Sequence, residues 1–185
     1  MVKTIVVACF VLLLAIPALA QDDYPKIQTS LGYANLSFPD LSTLGTGASL
    51  STAHHSGFSN STGFNLTRTL GLENYMGIYG LGQGSTLIAD FFGGKATYRA
   101  SKVSPYALAG IGVGYFTAST VYGYGASSSF ATRYGAGVDV PINDTMYWKV
   151  EYSRMNFHVN FDPTSSSSWT GGNNIQIGIV FTLTQ

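Results

Sequence analysis

Between Asn174 and Leu183 nearly every second residue is apolar. Ile175, Ile177, Ile179, Phe181 and Leu183 fall on one side of an extended chain. Asn174, Gln176, Gly178 and Thr182 fall on the other, with Val180 the exception. A period of two marks a β-strand with one apolar and one polar face. The pattern recurs upstream. Met146, Trp148, Val150 and Tyr152 alternate with Tyr147, Lys149, Glu151 and Ser153, and Phe130, Thr132, Tyr134, Ala136, Val138 and Val140 with Arg133, Gly135, Gly137 and Asp139. Ala107, Ala109, Ile111, Val113 and Tyr115 oppose Gly110, Gly112 and Gly114, while Phe92, Ala96 and Tyr98 oppose Lys95, Thr97 and Arg99. Phe58, Thr62, Phe64 and Leu66 face away from Ser59, Ser61, Gly63 and Asn65, and Ile27, Thr29, Leu31 and Tyr33 from Gln28, Ser30, Gly32 and Ala34. Over residues 72–79, Leu72, Met76 and Ile78 favour one phase, Tyr75 and Tyr79 the other. Past Ser153 the apolar phase slips to Met155, Phe157 and Val159, which predicts a bulge near Arg154. Eight strands are expected in all.

A sheet with one apolar face must hide it, in a core or in lipid. The choice follows from charge. Only 10% of the 185 residues are charged, nine Lys+Arg against nine Asp+Glu, and 14% are aromatic, where soluble domains carry about 25% charged residues. So little charge cannot clothe a water-facing surface, and the apolar face is expected to meet hydrocarbon. In hydrocarbon every backbone N–H and C=O needs a protein partner, so the sheet must close into a barrel. The balanced charge also excludes a basic nucleic-acid binder and an acidic disordered chain. After the first twenty residues no stretch approaches ~20 consecutive apolar residues, so membrane-spanning helices are not expected.

Residues 1–20 have the form of a secretory signal peptide: Lys3, an apolar run from Ile5 to Ile16, Pro17, then Ala18-Leu19-Ala20 before Gln21-Asp22-Asp23. The one cysteine, Cys9, lies inside that run. One barrel domain is expected over 21–185. Its connections should alternate in length. Thr67–Leu70, Ser101–Ser104 and Pro141–Asp144 are tight, whereas Leu36–Ala53, Leu81–Thr86, Ala118–Ser127 and Asn160–Gly172 are longer and rich in Gly and Ser. Short turns at one rim and long loops at the other describe an outer-membrane barrel with its ends in the periplasm.

Charged groups on such strands must point inward. Lys95, Arg99, Arg133, Asp139, Lys149 and Glu151 are therefore expected to form a charge network in a lumen just wide enough for side chains. Tyr24, Phe92, Tyr98, Tyr115, Trp148 and Phe157 are candidates for the aromatic girdles.

His55-Ser56-Gly57-Phe58 and Asn65-Leu66-Thr67-Arg68-Thr69-Leu70-Gly71-Leu72 resemble the second strand, turn and third strand of the bacterial outer-membrane β-barrel domain family, the broad OmpA/OmpX-like group of small barrels. Pro105–Gly112 and Tyr134–Asp139 are similar to its glycine-rich middle strands, and Asn174–Phe181 to its closing strand. The resemblance implies an all-β fold, an eight-stranded antiparallel up-and-down transmembrane barrel in the outer membrane, in contact with its lipids and lipopolysaccharide. Such barrels usually end on an aromatic residue, whereas Phe181 is followed here by Thr182-Leu183-Thr184-Gln185.

No cofactor, metal or nucleic acid is expected. His54, His55 and His158 sit in or beside long loops and lack further ligands, and the Gly110-x-Gly112-x-Gly114 and Gly80-x-Gly82-x-Gly84 runs precede no helix. Some barrels of this size modify lipid A with a Ser, a His and an acid, and His54, Ser56 and Glu73 invite that comparison. The expected function is non-enzymatic: a structural or surface-interaction role through the extracellular loops, by a monomer, with an unknown extracellular partner. A small-solute channel and a lipid A-modifying enzyme are the alternatives. A soluble lipocalin-like barrel is the structural rival.

Overall fold

The structure, a computed structural model, describes residues 24–37, 54–82, 85–100, 102–120, 123–159 and 168–184. It is a closed barrel of eight antiparallel strands in sequence order: β1 (Ile27–Ser37), β2 (His54–Asn65), β3 (Leu70–Gly82), β4 (Ser85–Thr97), β5 (Ser104–Thr120), β6 (Gly123–Pro141), β7 (Met146–Val159) and β8 (Ser168–Thr184). Closure comes from β1 pairing with β8 over Gln28↔Thr182 to Ser37↔Asn173. At that seam Gly32 lies opposite Gly178, and a Cβ on Gly32 would stand 2.7 Å from the Ile177 carbonyl oxygen. The backbones approach closely because neither residue has a side chain there.

The circuit of ladder partners fixes the tilt. It runs from Ile27 to Phe64, Leu72, Gly94, Ala109, Tyr134, Arg154 and Asn173, and returns to β1 at Ser37. The shift is 37 − 27 = 10 residues. Eight strands with that stagger lean about 40° from the barrel axis and leave room inside only for side chains.

The lower rim is built by side chains that imitate backbone. The Thr67 hydroxyl accepts from the N–H groups of Thr69 (3.2 Å) and Leu70 (2.9 Å). The Asn143 Oδ1 accepts from those of Thr145 (2.9 Å) and Met146 (2.8 Å). Such turns need no long loop to reverse a strand.

The alternation places the faces as the period of two requires. Ile175 and Ile177 are each 51% exposed on the outer wall, while Lys149 and Glu151 are each 1% exposed in the bore. A lipocalin-like soluble barrel would have these the other way round.

Several expectations need correction. No bulge occurs near Arg154: β7 pairs without a register shift from Met146 to Val159, and Met155 and Phe157 simply turn inward. An apolar side chain is as well accommodated in the packed bore as in lipid, so the change of phase needs no bulge. Phe157 is accordingly no girdle residue. The connections after strands 3 and 5 are also shorter than expected, since pairing continues to Gly82↔Ser85 and Thr120↔Gly123. Above the bilayer both faces meet water, so a Gly- and Ser-rich stretch can remain in the ladder without alternating. Likewise Gly172 belongs to β8. On β3, Tyr75 and Tyr79 take the bore and Met76 and Ile78 the outer wall. Much of the first and last long connections, 38–53 and 160–167, lies outside the described residues, as does the signal-peptide segment.

Candidate functional site

The bore has three tiers, stacked from the rim of tight turns toward the opposite rim. The lowest is a charge cluster centred on Glu73 of β3. Its Oε1 lies 3.3 Å from Arg133 Nη1, and its Oε2 lies 3.6 Å from both Lys95 Nζ and Lys149 Nζ. Glu151 joins the same cations, pairing with Arg133 Nη2 and lying 3.4 Å from Lys149 Nζ. Asp139 lies 3.5 Å from Lys95. Three cations, Lys95, Arg133 and Lys149, meet three anions, Glu73, Asp139 and Glu151, so the cluster has no net charge.

Aromatic rings and hydroxyls complete the shell. Tyr106 donates its hydroxyl proton to Glu151 Oε2 at 3.0 Å and stacks its ring 3.8 Å beneath Lys95 Nζ. The Arg133 guanidinium lies 3.7 Å over the Tyr75 ring. Lys149 also donates to Ser61 Oγ at 3.2 Å. Buried charges are tolerable only when they are paired and hydrogen-bonded in this way.

The second tier is a chain of hydroxyls and amides. Tyr75 and Tyr79 share a hydrogen bond of 2.6 Å; Tyr79 donates to Asn174 Oδ1 (3.0 Å), and Asn174 Nδ2 donates to Ser153 Oγ (3.3 Å). The third tier is mainly apolar. Leu36, Leu87, Phe91, Met155 and Phe157 are buried there, with Phe116 edge-on to Phe157 at 5.3 Å. Two cavities within the bore are each about 10 Å³, one beside Glu73 and Arg133, the other beside Glu73, Lys95 and Lys149. A hollow of about 620 Å³ lies instead on the outer wall, where Gly94, Ala96, Ala107 and Ala109 leave room beside Leu70 and Leu72.

Of the six residues expected in the network, Lys95, Arg133, Asp139, Lys149 and Glu151 come together. Arg99 does not: it lies beyond the end of β4, where its Nε donates to the Arg68 carbonyl at 3.0 Å. Glu73 was missed as a member and is its hub. The signal was present, since a carboxylate between Leu72 and Asn74 decides the phase of β3 once charge is required to face inward.

The Ser–His–acid comparison does not assemble. His54 and Ser56 lie on the outer side of β2, where Ser56 bonds the Tyr33 hydroxyl at 2.6 Å and His54 Nδ1 meets Asn35 Oδ1 at 3.3 Å. Glu73 lies on the other side of the wall, held by three cations. His55 is buried in the bore. Among the described residues no group of three or more His, Cys, Asp or Glu could hold a metal ion.

The sequence model of the family described as outer membrane protein beta-barrel domain matches residues 6–182. No curated protein sequence matches the chain. Among solved structures it is similar to neisserial surface protein A, with TM-score 0.67, 12% identity and coverage of 85% of this chain and 97% of that one. It is similar to Ail, the attachment invasion locus protein of Yersinia pestis, with TM-score 0.57, 17% identity and coverage of 84% and 96%. A de novo designed transmembrane β-barrel matches with TM-score 0.54, 16% identity and coverage of 87% and 98%. A designed barrel stands alongside natural ones, so these likenesses speak to fold alone.

Proposed function

Because the chain belongs to the outer membrane protein β-barrel domain family, we propose that it is a sealed barrel, non-enzymatic and non-conducting, that carries surface loops. Its location is the bacterial outer membrane. The observation that supports sealing is the filled bore. A solute would have to part a neutral cluster of six interlocked charges and then the apolar tier around Phe91, Phe116 and Phe157. Ion passage needs continuous water or polar sites, and the apolar side chains of this tier interrupt them.

The working parts are then the loops. Residues 38–53 and 160–167 contain Asp40 and Asp162 but no Lys or Arg, and are mostly Ser, Thr, Gly and Asn with Phe38 and Phe161. That chemistry suits adaptable hydrogen bonding and stacking with an uncharged or basic surface partner. It does not suit a polyanion, which would require clustered cations.

Purified protein reconstituted in planar bilayers should give no discrete conductance steps. Stable single-channel steps that disappear on Phe157→Trp would overturn the sealed reading in favour of a channel. Residues 1–20 are proposed as a cleaved signal peptide. Intact-mass measurement of protein from the outer membrane should then give a chain beginning at Gln21, and retention of Met1 would reject it.

A further inference from the structure

The described strands carry eight charged side chains. Glu73, Lys95, Arg133, Asp139, Lys149 and Glu151 face the bore, while Asp90 and Arg154 face outward. The outward two have opposite signs, and among the described residues neither has an ion-pair partner. Each instead heads a polar patch on the outer wall.

Asp90 Oδ1 accepts from Asn74 Nδ2 at 2.8 Å. Next to Asn74 on the ladder is Thr62, whose hydroxyl lies 3.5 Å from that of Thr29. The first patch therefore crosses β1 to β4. In the second, Arg154 Nε donates to Asn156 Oδ1 (3.2 Å) and Nη1 to Asn173 Oδ1 (3.1 Å), and Asn156 Nδ2 donates to Thr132 Oγ1 (3.4 Å). That patch crosses β6 to β8.

The two charges stand at the same height. Ladder partners run from Asp90 through Val113 and Phe130 to His158. A circuit of eight strands climbs ten residues, so the three steps from β4 to β7 climb 3 × 10/8, about four residues, toward the loop rim. Four residues back down β7 from His158 is Arg154. Asp90 on β4 and Arg154 on β7 stand three strands apart around the wall, so one barrel cannot bring its own pair of charges together. A charged or amide group facing hydrocarbon is costly unless something polar covers it. Another barrel of the same sequence carries a group of the opposite sign at the same depth for each of the two charges.

We infer that copies of this chain associate side by side in the membrane, with Asp90 and Asn74 of one barrel against Arg154, Asn156 and Asn173 of the next. The contact is head-to-tail, since its two halves are different surfaces, and it builds rows or rings rather than a closed two-fold pair. This replaces the monomer expected from sequence, and it depends on the membrane placement but not on whether the bore is sealed.

The test uses cysteines that flank the charges without replacing them. In a Cys9→Ser background one chain carries Met76→Cys, where Met76 is the ladder neighbour of Asp90, and a second carries Tyr152→Cys, two residues before Arg154 on the same face. Both native side chains are exposed on the outer wall. After co-expression and brief cross-linking in isolated outer membranes, mixed Met76→Cys–Tyr152→Cys dimers should dominate over dimers of either chain with itself. A chain carrying both cysteines should give a ladder of higher oligomers. Asp90→Asn or Arg154→Gln should lower mixed dimers about tenfold or more, the effect of losing one close charge pair. Asp90→Arg combined with Arg154→Asp should restore them. Heat-dependent gel mobility reports folding, so a variant that fails to form a barrel is recognised, and the charge-exchanged double variant then carries the test. Cross-links that are absent, that form mainly between identical positions, or that are unchanged by Asp90→Asn overturn the proposal. Loss of bound lipopolysaccharide in Arg154→Gln without any cross-linking would assign that patch to a lipid phosphate instead.

Discussion

Glu73→Gln destabilises the folded barrel by about 3–5 kcal/mol, the usual consequence of removing one partner from a buried ion cluster. The substitution preserves size and shape, so packing does not account for the loss. Electrostatics does. The native cluster sums to zero with three cations and three anions, and without the Glu73 carboxylate it holds one uncompensated positive charge. Lys95, Arg133 and Lys149 all lose a contact at 3.3–3.6 Å, and water offers little compensation because their side chains are only 11%, 3% and 1% exposed. Reversible urea unfolding in lipid vesicles measures the change. Lys149→Met in the same chain returns the cluster to neutrality and keeps the Arg133–Glu151 and Lys95–Asp139 pairs, so it should recover much of the loss, a coupling that independent sites would not show. Asp139→Asn should cost less than Glu73→Gln, since Asp139 contacts Lys95 alone among the cluster's cations. Equal stability of Glu73→Gln and the native chain would mean that the cluster is not held together by charge.

Phe157→Ala is expected to cost a similar ~3–5 kcal/mol by a different route, the cavity left in a packed interior. Phe157 is fully buried, edge-on to Phe116 at 5.3 Å and tilted against Phe91 at 6.3 Å. Gly114 lies opposite, where any side chain would strike the Phe157 ring, so no neighbour can swing in to refill the space. The informative comparison is Phe58→Ala. Phe58 is 77% exposed on the outer wall, where lipid tails replace whatever the ring leaves behind, so its loss should be small. The same urea midpoints in the same vesicles test both variants. A Phe58→Ala effect as large as that of Phe157→Ala would mean that the apolar tier is not a packed core.

Much of the barrel is legible in the sequence for one reason: lipid rejects charge. Lys149, Glu151, Arg133 and Asp139 assign the faces of β6 and β7 unaided, and Ile175, Ile177 and Ile179 follow the same phase on β8. The same logic fails for Met155 and Phe157. Lipid and a packed bore are both dry, so an apolar side chain is satisfied on either side of the wall and its identity does not reveal its direction. Tyrosine is as ambiguous, which left β3 unassigned until Glu73 resolved it. Asp90 and Arg154 go further and break the inward rule outright, and such departures from local consistency are where function is expected to reside.

The sequence by itself determined the strand count, the closed sheet, the membrane as solvent and most inward residues, because each follows from a period of two and the cost of an unpaired polar group in hydrocarbon. Only the tertiary structure decided which inward residues meet. Glu73 and Arg133 are 60 positions apart, and Lys149 and Ser61 are 88. Neither separation has a local signature, and each pair becomes a contact only because the ten-residue stagger brings those strands to one depth across a narrow bore.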